Sequence, residues 1–377
     1  MAERPGRSVM DTEAFLATAR DLLAVPSTSD RPGELRRALD FVLAFAGGGA
    51  TVERFESGGK PSALLYHGPS RPDRFRVVLN AHLDVVPAAP DHFRPRRDGD
   101  RLYARGAQDM KVSGLVQAQV FRELAASLPY PLGLQLVTDE EVGGRDGTLH
   151  QVQQGVISEF VIIGETSGLH IVTESKGILR VRLRAEGLGA HGAYPWLGDN
   201  ALLKLNRTVD RLLAVYPVPA EEAWRTTVSL ASVSTTNQAR NQVPAHAEAW
   251  LDIRFPASDT DLYGASTDEI AAYLHSFCEP GVTVVVDSAD QPHRATVDSV
   301  EIAALQRAAR AQGYSGDFLR KHGSGDSRFY GERGVNSVAF GTGGAGQHGD
   351  GEYVDIATIE PYYQALRAFL LDPALHT

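Results

Sequence analysis

FRVVLNAHLD, residues 75–84, carries a largely apolar run into a histidine and an aspartate. A largely apolar run of this length reads as a buried strand in a sheet covered on both sides. Two further segments repeat the design. LGLQLVT, residues 132–138, runs into Asp139, Glu140 and Glu141, and FVIIG, residues 160–164, runs into Glu165. A helical stretch, LVQAQVFRELAASL at 115–128, separates the first two. Strand–helix alternation of this kind predicts an α/β fold, with a mixed, largely parallel sheet and helices on both faces.

Working outward, residues 12–24 and 34–46 show helical periodicity, and ATVERFE (50–56) and SALLYHG (62–68) read as strands. Beyond Lys176 the texture changes. KGILRVRLRAEG alternates like a half-exposed strand, an amphipathic helix follows at 201–216, two strands come at 226–236 and 246–255, then a helix at 267–278 and the strand GVTVVVDS. The order strand, helix, strand, strand, helix, strand is the split ferredoxin-like plan, which closes on itself. Residues 177–289 are therefore expected to form an inserted domain, with 1–176 and 290–377 making the main one. The last part carries a helix at 299–312, the strand VNSVAF at 335–340 and a helix at 358–371.

Composition narrows the function. A chain of 377 residues suits about two domains, and 43% hydrophobic with 22% charged residues is a folded, globular balance. A net charge of -10 and pI near 5.7 exclude the basic face that nucleic-acid binding needs. No apolar run approaches the ~18 residues of a membrane span. The opening MAERPGRSVMDTEA has no apolar signal core, so a cytoplasmic protein is expected. The single cysteine, Cys278, allows no internal disulfide and reads as a small buried residue on a helix.

Acidic and histidine residues fall at the strand ends. His82, Asp84, Glu140, Glu141 and Glu165 follow apolar strands, Asp109 lies in YARGAQDMK ahead of a helix, and His348 follows the glycine-rich 341–346 loop after VNSVAF. Ligands of open α/β sheets gather beyond the carboxyl ends of the strands, so these residues can meet at one edge. His82, Asp109, Glu141, Glu165 and His348 form a nitrogen-and-oxygen set without sulfur, suited to zinc, cobalt or manganese. Five ligands exceed what one catalytic zinc uses, and two ions sharing a carboxylate fit better, with Asp109 the candidate bridge. Taken singly, each residue has a plain alternative: a core histidine, a solvated corner at Glu140–Glu141, a helix cap at Asp109.

If Glu141 is a ligand, Glu140 points elsewhere and is free to take a proton from a water between the metals. Asp84 is placed to hold the second nitrogen of the His82 ring. GTGGAG at 341–346 matches a dinucleotide fingerprint, but no helix starts at its end; a flexible turn delivering His348 is the better account.

LNAHLDVVPA, YARGAQDMK, TDEEVGG, IIGETS and QHGDGEYV, in this order, resemble the M20 metallopeptidase and deacylase family over nearly the whole chain. The resemblance implies one metal on His82, Asp109 and Glu165 and another on Asp109, Glu141 and His348, with Asp109 bridging and Glu140 the general base. It implies an inserted domain that serves as lid and homodimer contact. In GAHGAYPWLGDNA, His191 matches a histidine that reaches the partner's site and stabilises the oxyanion. Asn241 and Arg254 match positions that hold a substrate carboxylate, an ion pair being the alternative for Arg254. Asp326 and Arg328 in GSGDSRFY match another segment near the site, which makes Arg328 a further candidate to bind substrate.

The chain departs from the family at DMKVSG, where a glycine pair is usual, at GETS for GEPT, and at TGG for GPG. None of these removes a ligand or the base, so a non-catalytic metabolite-binding relative is disfavoured. The expected activity is hydrolysis of a carbon–nitrogen amide bond in a small N-acyl amino acid, with a dipeptide as the alternative substrate.

Overall fold

A computed structural model describes residues 10–376; the start of the N-terminal stretch read above for a signal core lies outside them. Among the described residues the chain divides into two compact units. The first runs through Thr173 and resumes over Ala295–Arg320 and from Gly325 onward; the second comprises Glu174–Arg294 and Lys321–Ser324.

The first unit is built on a mixed sheet in the order Thr51–Ser57, Lys60–Tyr66, Leu132–Val137, Phe75–His82, Ser158–Ile163, Asn336–Ala339, Ile171–Ser175. Its middle is parallel: Phe75–His82 pairs with Leu132–Val137 on one side and Ser158–Ile163 on the other, and the latter pairs with Asn336–Ala339. Antiparallel strands flank it, as in the hairpin of Thr51–Ser57 with Lys60–Tyr66. Every residue of Phe75–His82 and Leu132–Val137 is buried, which is why apolar residues stand on both faces of these strands, the polar exceptions being Arg76, Asn80, His82 and Gln135. The helix Lys111–Leu124 packs on both of these strands and touches the helices Pro32–Ala46 and Ile359–Leu370. It is buried nearly all round, Leu115, Val116, Ala118 and Phe121 included, because the sheet and both helices pack against it.

A second, smaller sheet of the same unit was not foreseen from the sequence. Arg96–Asp98 pairs with Arg101–Tyr103, which pairs antiparallel with Tyr353–Asp355, and that strand pairs with Gly344–Ala345. Its strands are two or three residues long and partly charged. Alternation cannot be read over so few positions, and the pairing partner lies some 250 residues away.

In the second unit the strands Thr227–Thr235, His246–Phe255, Gly177–Glu186 and Val282–Asp290 form an antiparallel sheet in that spatial order. With the helices Ala201–Val215 and Thr267–His275 this is the ferredoxin-like arrangement. The sheet buries alternate residues, Leu179, Val181, Leu183 and Ala185 of one strand and Ala247, Ala249, Leu251 and Ile253 of its neighbour, against Leu205 and Leu212 of the first helix and Ile270 of the second. Cys278 lies just past Thr267–His275, half-buried and not fully buried on the helix, and burial pushes its thiol up to about 11. Among the described residues no helix is long and apolar enough to cross a membrane.

Candidate metal centre and active site

The parallel strands end in register, and that places their trailing residues together. His82 pairs with Val137 at the last step of the ladder, so the segments starting at Leu83 and Thr138 leave the sheet side by side. Leu83 N–H donates to Val137 O (2.9 Å), holding them so. Gly164 N–H donates to Asn80 O (2.9 Å), which brings Glu165 to the same edge.

There the side chains converge. His82 Nε2 lies 2.9 Å from Asp109 Oδ1 and 3.3 Å from Glu165 Oε1. His348 Nε2 lies 3.2 Å from Asp109 Oδ2 and 3.1 Å from Glu141 Oε2. Asp109 therefore turns one oxygen to each histidine, the disposition a bridging carboxylate needs. His82, Asp109 and Glu141 have donor atoms within 4.8 Å of one another, and so do His82, Glu140 and Glu165. The five residues read as ligands are thus brought together, and Glu140 stands among them.

The electrostatics of this cluster call for positive charge. Burial, with Asp109 nearby, pushes Glu141 up to about 7; burial likewise raises Glu140 well above the usual carboxylate range, with Asp326, Glu165 and Asp109 adding to it. Burial and then the charge of Asp326 push Asp139 up to about 7, and burial pushes Asp326 itself up to about 6. Asp109 is buried too, yet the bonds from His348 and His82 hold it well below the ordinary range. Burial opposes the charging of His82, but bonds from Asp109, Asp84 and Glu165 raise it well above its ordinary value. Carboxylates packed this closely in low dielectric need protons or cations as partners. A nitrogen-and-oxygen donor set of this kind fits a divalent ion such as zinc.

Supporting contacts differ in part from those expected. The His82 Nδ1–H donates to the backbone carbonyl of Asp84 (3.0 Å), while the Asp84 carboxylate is 3.5 Å away. That carboxylate instead accepts the backbone N–H groups of Glu140 (3.2 Å) and Glu141 (3.0 Å), so it sets the turn carrying both glutamates. Arg328 is buried and donates to Gly143 O (2.6 Å), bracing the far end of the same turn. Asp326 accepts from Thr148 and lies against Gly144, where a Cβ would come 2.2 Å from its Oδ1.

The glycine-rich run before His348 is pinned. A Cβ on Gly341 would lie 2.5 Å from Glu165 O, and Thr342 O accepts from Ser167 N–H, Gly168 N–H and Thr166 Oγ1. Its first part, 341–343, is buried against the Glu165 turn, while 345–348 are exposed.

The remaining candidates belong to the second unit. Ala190–His191 pairs with Gln242–Val243, and Gly192 N–H donates to Asn241 O (2.5 Å), so His191 and Asn241 share one exposed ribbon. His191 Nδ1 accepts from Ala193 N–H, and its ring lies 5.6 Å from that of Tyr194. Arg254 is elsewhere in the unit, near the opposite end of the strand His246–Phe255, about 27 Å along it. Its fork is engaged by Asp252, at 2.6 and 3.0 Å.

Several residues near the centre escaped the sequence reading. Arg105 and Glu352 form a fully buried ion pair; Gln347 donates to Asp109 Oδ2 (2.5 Å); and Lys111, wholly buried, donates to Val25 O (2.7 Å), burial pushing its ammonium down to about 7. Each sits inside a segment already quoted for its ligands, and a charged loop residue reads as solvated until its partner is seen.

Residues 78–372 match the model of the peptidase family M20/M25/M40. A relative from Mycobacterium tuberculosis named for succinyl-diaminopimelate desuccinylase is 31% identical over 307 residues, 78% of this chain and 82% of that protein. A relative from Emericella nidulans named as a probable carboxypeptidase is 29% identical over 319 residues, 78% of this chain and 74% of its own. The fold is shared with an M20 family metallo-carboxypeptidase from Sulfolobus solfataricus (TM-score 0.75, 17% identity, 97% of this chain and 99% of that one). It is shared as well with a tripeptidase from Staphylococcus aureus (TM-score 0.77, 16% identity, 96% and 98%).

Proposed function

The chain belongs to the peptidase family M20/M25/M40 and is a hydrolase, and from that premise we propose that it cleaves the amide bond of a small N-acyl amino acid at a two-metal centre. The observation that carries the reading is the meeting of His82, Asp109, Glu141, Glu165 and His348 around one edge, with Glu140 among them. His82, Asp109 and Glu165 would hold one ion; Asp109, Glu141 and His348 the other. Bound there, zinc, cobalt or manganese supplies Lewis acidity to the carbonyl and acidifies the attacking water toward a pKa of about 7.

The protein's own groups do the rest. Glu140 takes the proton of the attacking water and passes it to the leaving amine, a role suited to a carboxylate whose proton affinity burial has raised. Asp84 orients Glu140 through its backbone N–H. Arg328 holds the turn from Gly143. His191, exposed on its ribbon, donates to the developing oxyanion from a second copy of the chain. Arg254 engages the substrate carboxylate after exchanging its bond to Asp252, and Asn241, on the same ribbon as His191, reaches that carboxylate from the second copy. The second unit acts as a lid and as the homodimer contact.

The names of the relatives support a second substrate class, a dipeptide or peptide C-terminus. Both classes place a carboxylate beside the scissile amide. Amine release by metal-loaded protein from N-acetyl and N-succinyl amino acids and dipeptides separates them, with Glu140→Ala as control. Release from one acyl class, lost in the control, is the expected result. Cleavage of dipeptides alone moves the assignment to peptidase, and silence from a chain that takes up no metal overturns the reading.

A further inference from the structure

His348 and Asp109 are far apart in the chain, and the small sheet is what brings their loops together. Tyr103 pairs with Tyr353, so the segment leaving Tyr103 toward Asp109 starts beside the segment arriving from His348. Just past that pair stand Arg105 and Glu352, 3% and 2% exposed, bound to each other. Arg105 Nη2 also donates to His348 O (3.1 Å). Glu352 Oε1 accepts the backbone N–H groups of Gln108 (3.1 Å) and Asp109 (3.2 Å). The ion pair thus grips the main chain at both ligand positions while leaving their side chains free.

His348 has φ 62, a left-handed conformation that a residue with a side chain keeps only where its surroundings enforce it. The bond from Arg105 to its carbonyl is such a restraint. A guanidinium can reach a carboxylate and a carbonyl at once because its donors diverge from one rigid plane; a lysine ammonium could not span the same two acceptors in fixed directions.

The geometry points to Arg105 and Glu352 as positioning residues: together they set the separation of Asp109 and His348, and so the donor spacing of the ion those two would share with Glu141. This inference rests on the two-metal reading above. Arg105, bound to the His348 carbonyl, acts on the His348 side of the centre, whereas Glu352, bound to the main chain at Asp109, acts on the residue both ions would share.

The test is an equilibrium zinc titration of the full chain against a competing chelator, for wild type, Arg105→Lys and Glu352→Gln. Glu123→Gln serves as the comparison, because Glu123 pairs with Arg367 in the same unit but touches neither ligand loop. The wild type is expected to take two equivalents. Arg105→Lys should keep one at wild-type affinity and lose about 10- to 100-fold on the other, the usual effect of removing a ligand's support, and Glu352→Gln, which alters the hold on the shared Asp109, should weaken both. Glu123→Gln should keep both, even if its Tm falls. Glu352→Gln preserves shape and an acceptor oxygen, so it carries the comparison should the lysine variant fold poorly. Two unchanged equivalents in both variants overturn the inference, as does equal weakening of both ions in Arg105→Lys. A wild type that takes up fewer than two equivalents overturns the metal-centre reading itself.

Discussion

Glu140 and Glu141 are neighbours with different surroundings, and the difference separates their proposed chemistry. Glu141 faces His348, whereas Glu140 lies between His82, Glu165 and Asp326. Since its oxygens also come within ligand distance of His82 and Glu165, a substitution distinguishes base from ligand. Glu140→Gln is expected to lower kcat by about 10²- to 10⁴-fold while metal content stays at the wild-type level; loss of an ion would make Glu140 a ligand. Asp84 is the second informative residue. Asp84→Asn leaves a buried turn without one of its charged acceptors, at a cost of about 1–3 kcal/mol, read as a lower denaturation midpoint. The sequence spacing placed Asp84 beside the His82 ring, but not the division by which its carbonyl serves the ring and its carboxylate the next strand's turn.

At the scale of elements, the site is a set of short turns launched from strands that end level with one another. Their backbones approach too closely for a side chain at Gly341, where a methyl would meet the carbonyls of Glu165 and Gly164 at 2.5 and 2.6 Å. Gly341→Ala should therefore displace the turn carrying Glu165. The expected loss of stability is about 1–3 kcal/mol, accompanied by weaker uptake of the His82-side ion; an unchanged zinc titration would contradict this. The long elements were legible because Phe75–His82 and Lys111–Leu124 run for eight and fourteen residues, long enough for a pattern to show. Arg101–Tyr103 and Tyr353–Asp355 offer only three, so the small sheet that joins the ligand loops stayed hidden.

For the whole molecule, the crowd of buried acids predicts how pH and metal act together. Glu141 holds its proton up to about 7 in the folded chain, against 4.5 for a free carboxyl, and burial raises Glu140 beside it well above that value. Between those limits the folded state binds protons that the unfolded state has released, so stability falls as pH rises from about 4.5 to about 7. His82, raised when folded, has the same sign above its ordinary 6.5. Chelator-treated protein should thus lose Tm steadily across this range. Metal-loaded protein should lose much less, because ions replace the protons; at a free ion concentration 100 times Kd the gain is about 2.7 kcal/mol. Equal pH slopes with and without metal would contradict the placement of the ions among these carboxylates.

The chain's own pattern determined the α/β class, the ferredoxin-like order of the second unit, and which histidines and acids stand at strand ends, because periodicity and strand termini are local properties. Tertiary structure alone decided that Asp109 turns one oxygen to each histidine, that Arg328 braces Gly143, and that Arg105 meets Glu352 across 247 positions. Those are matters of side-chain direction and long-range closure, and both depend on the sheet having first brought distant strand ends to one edge.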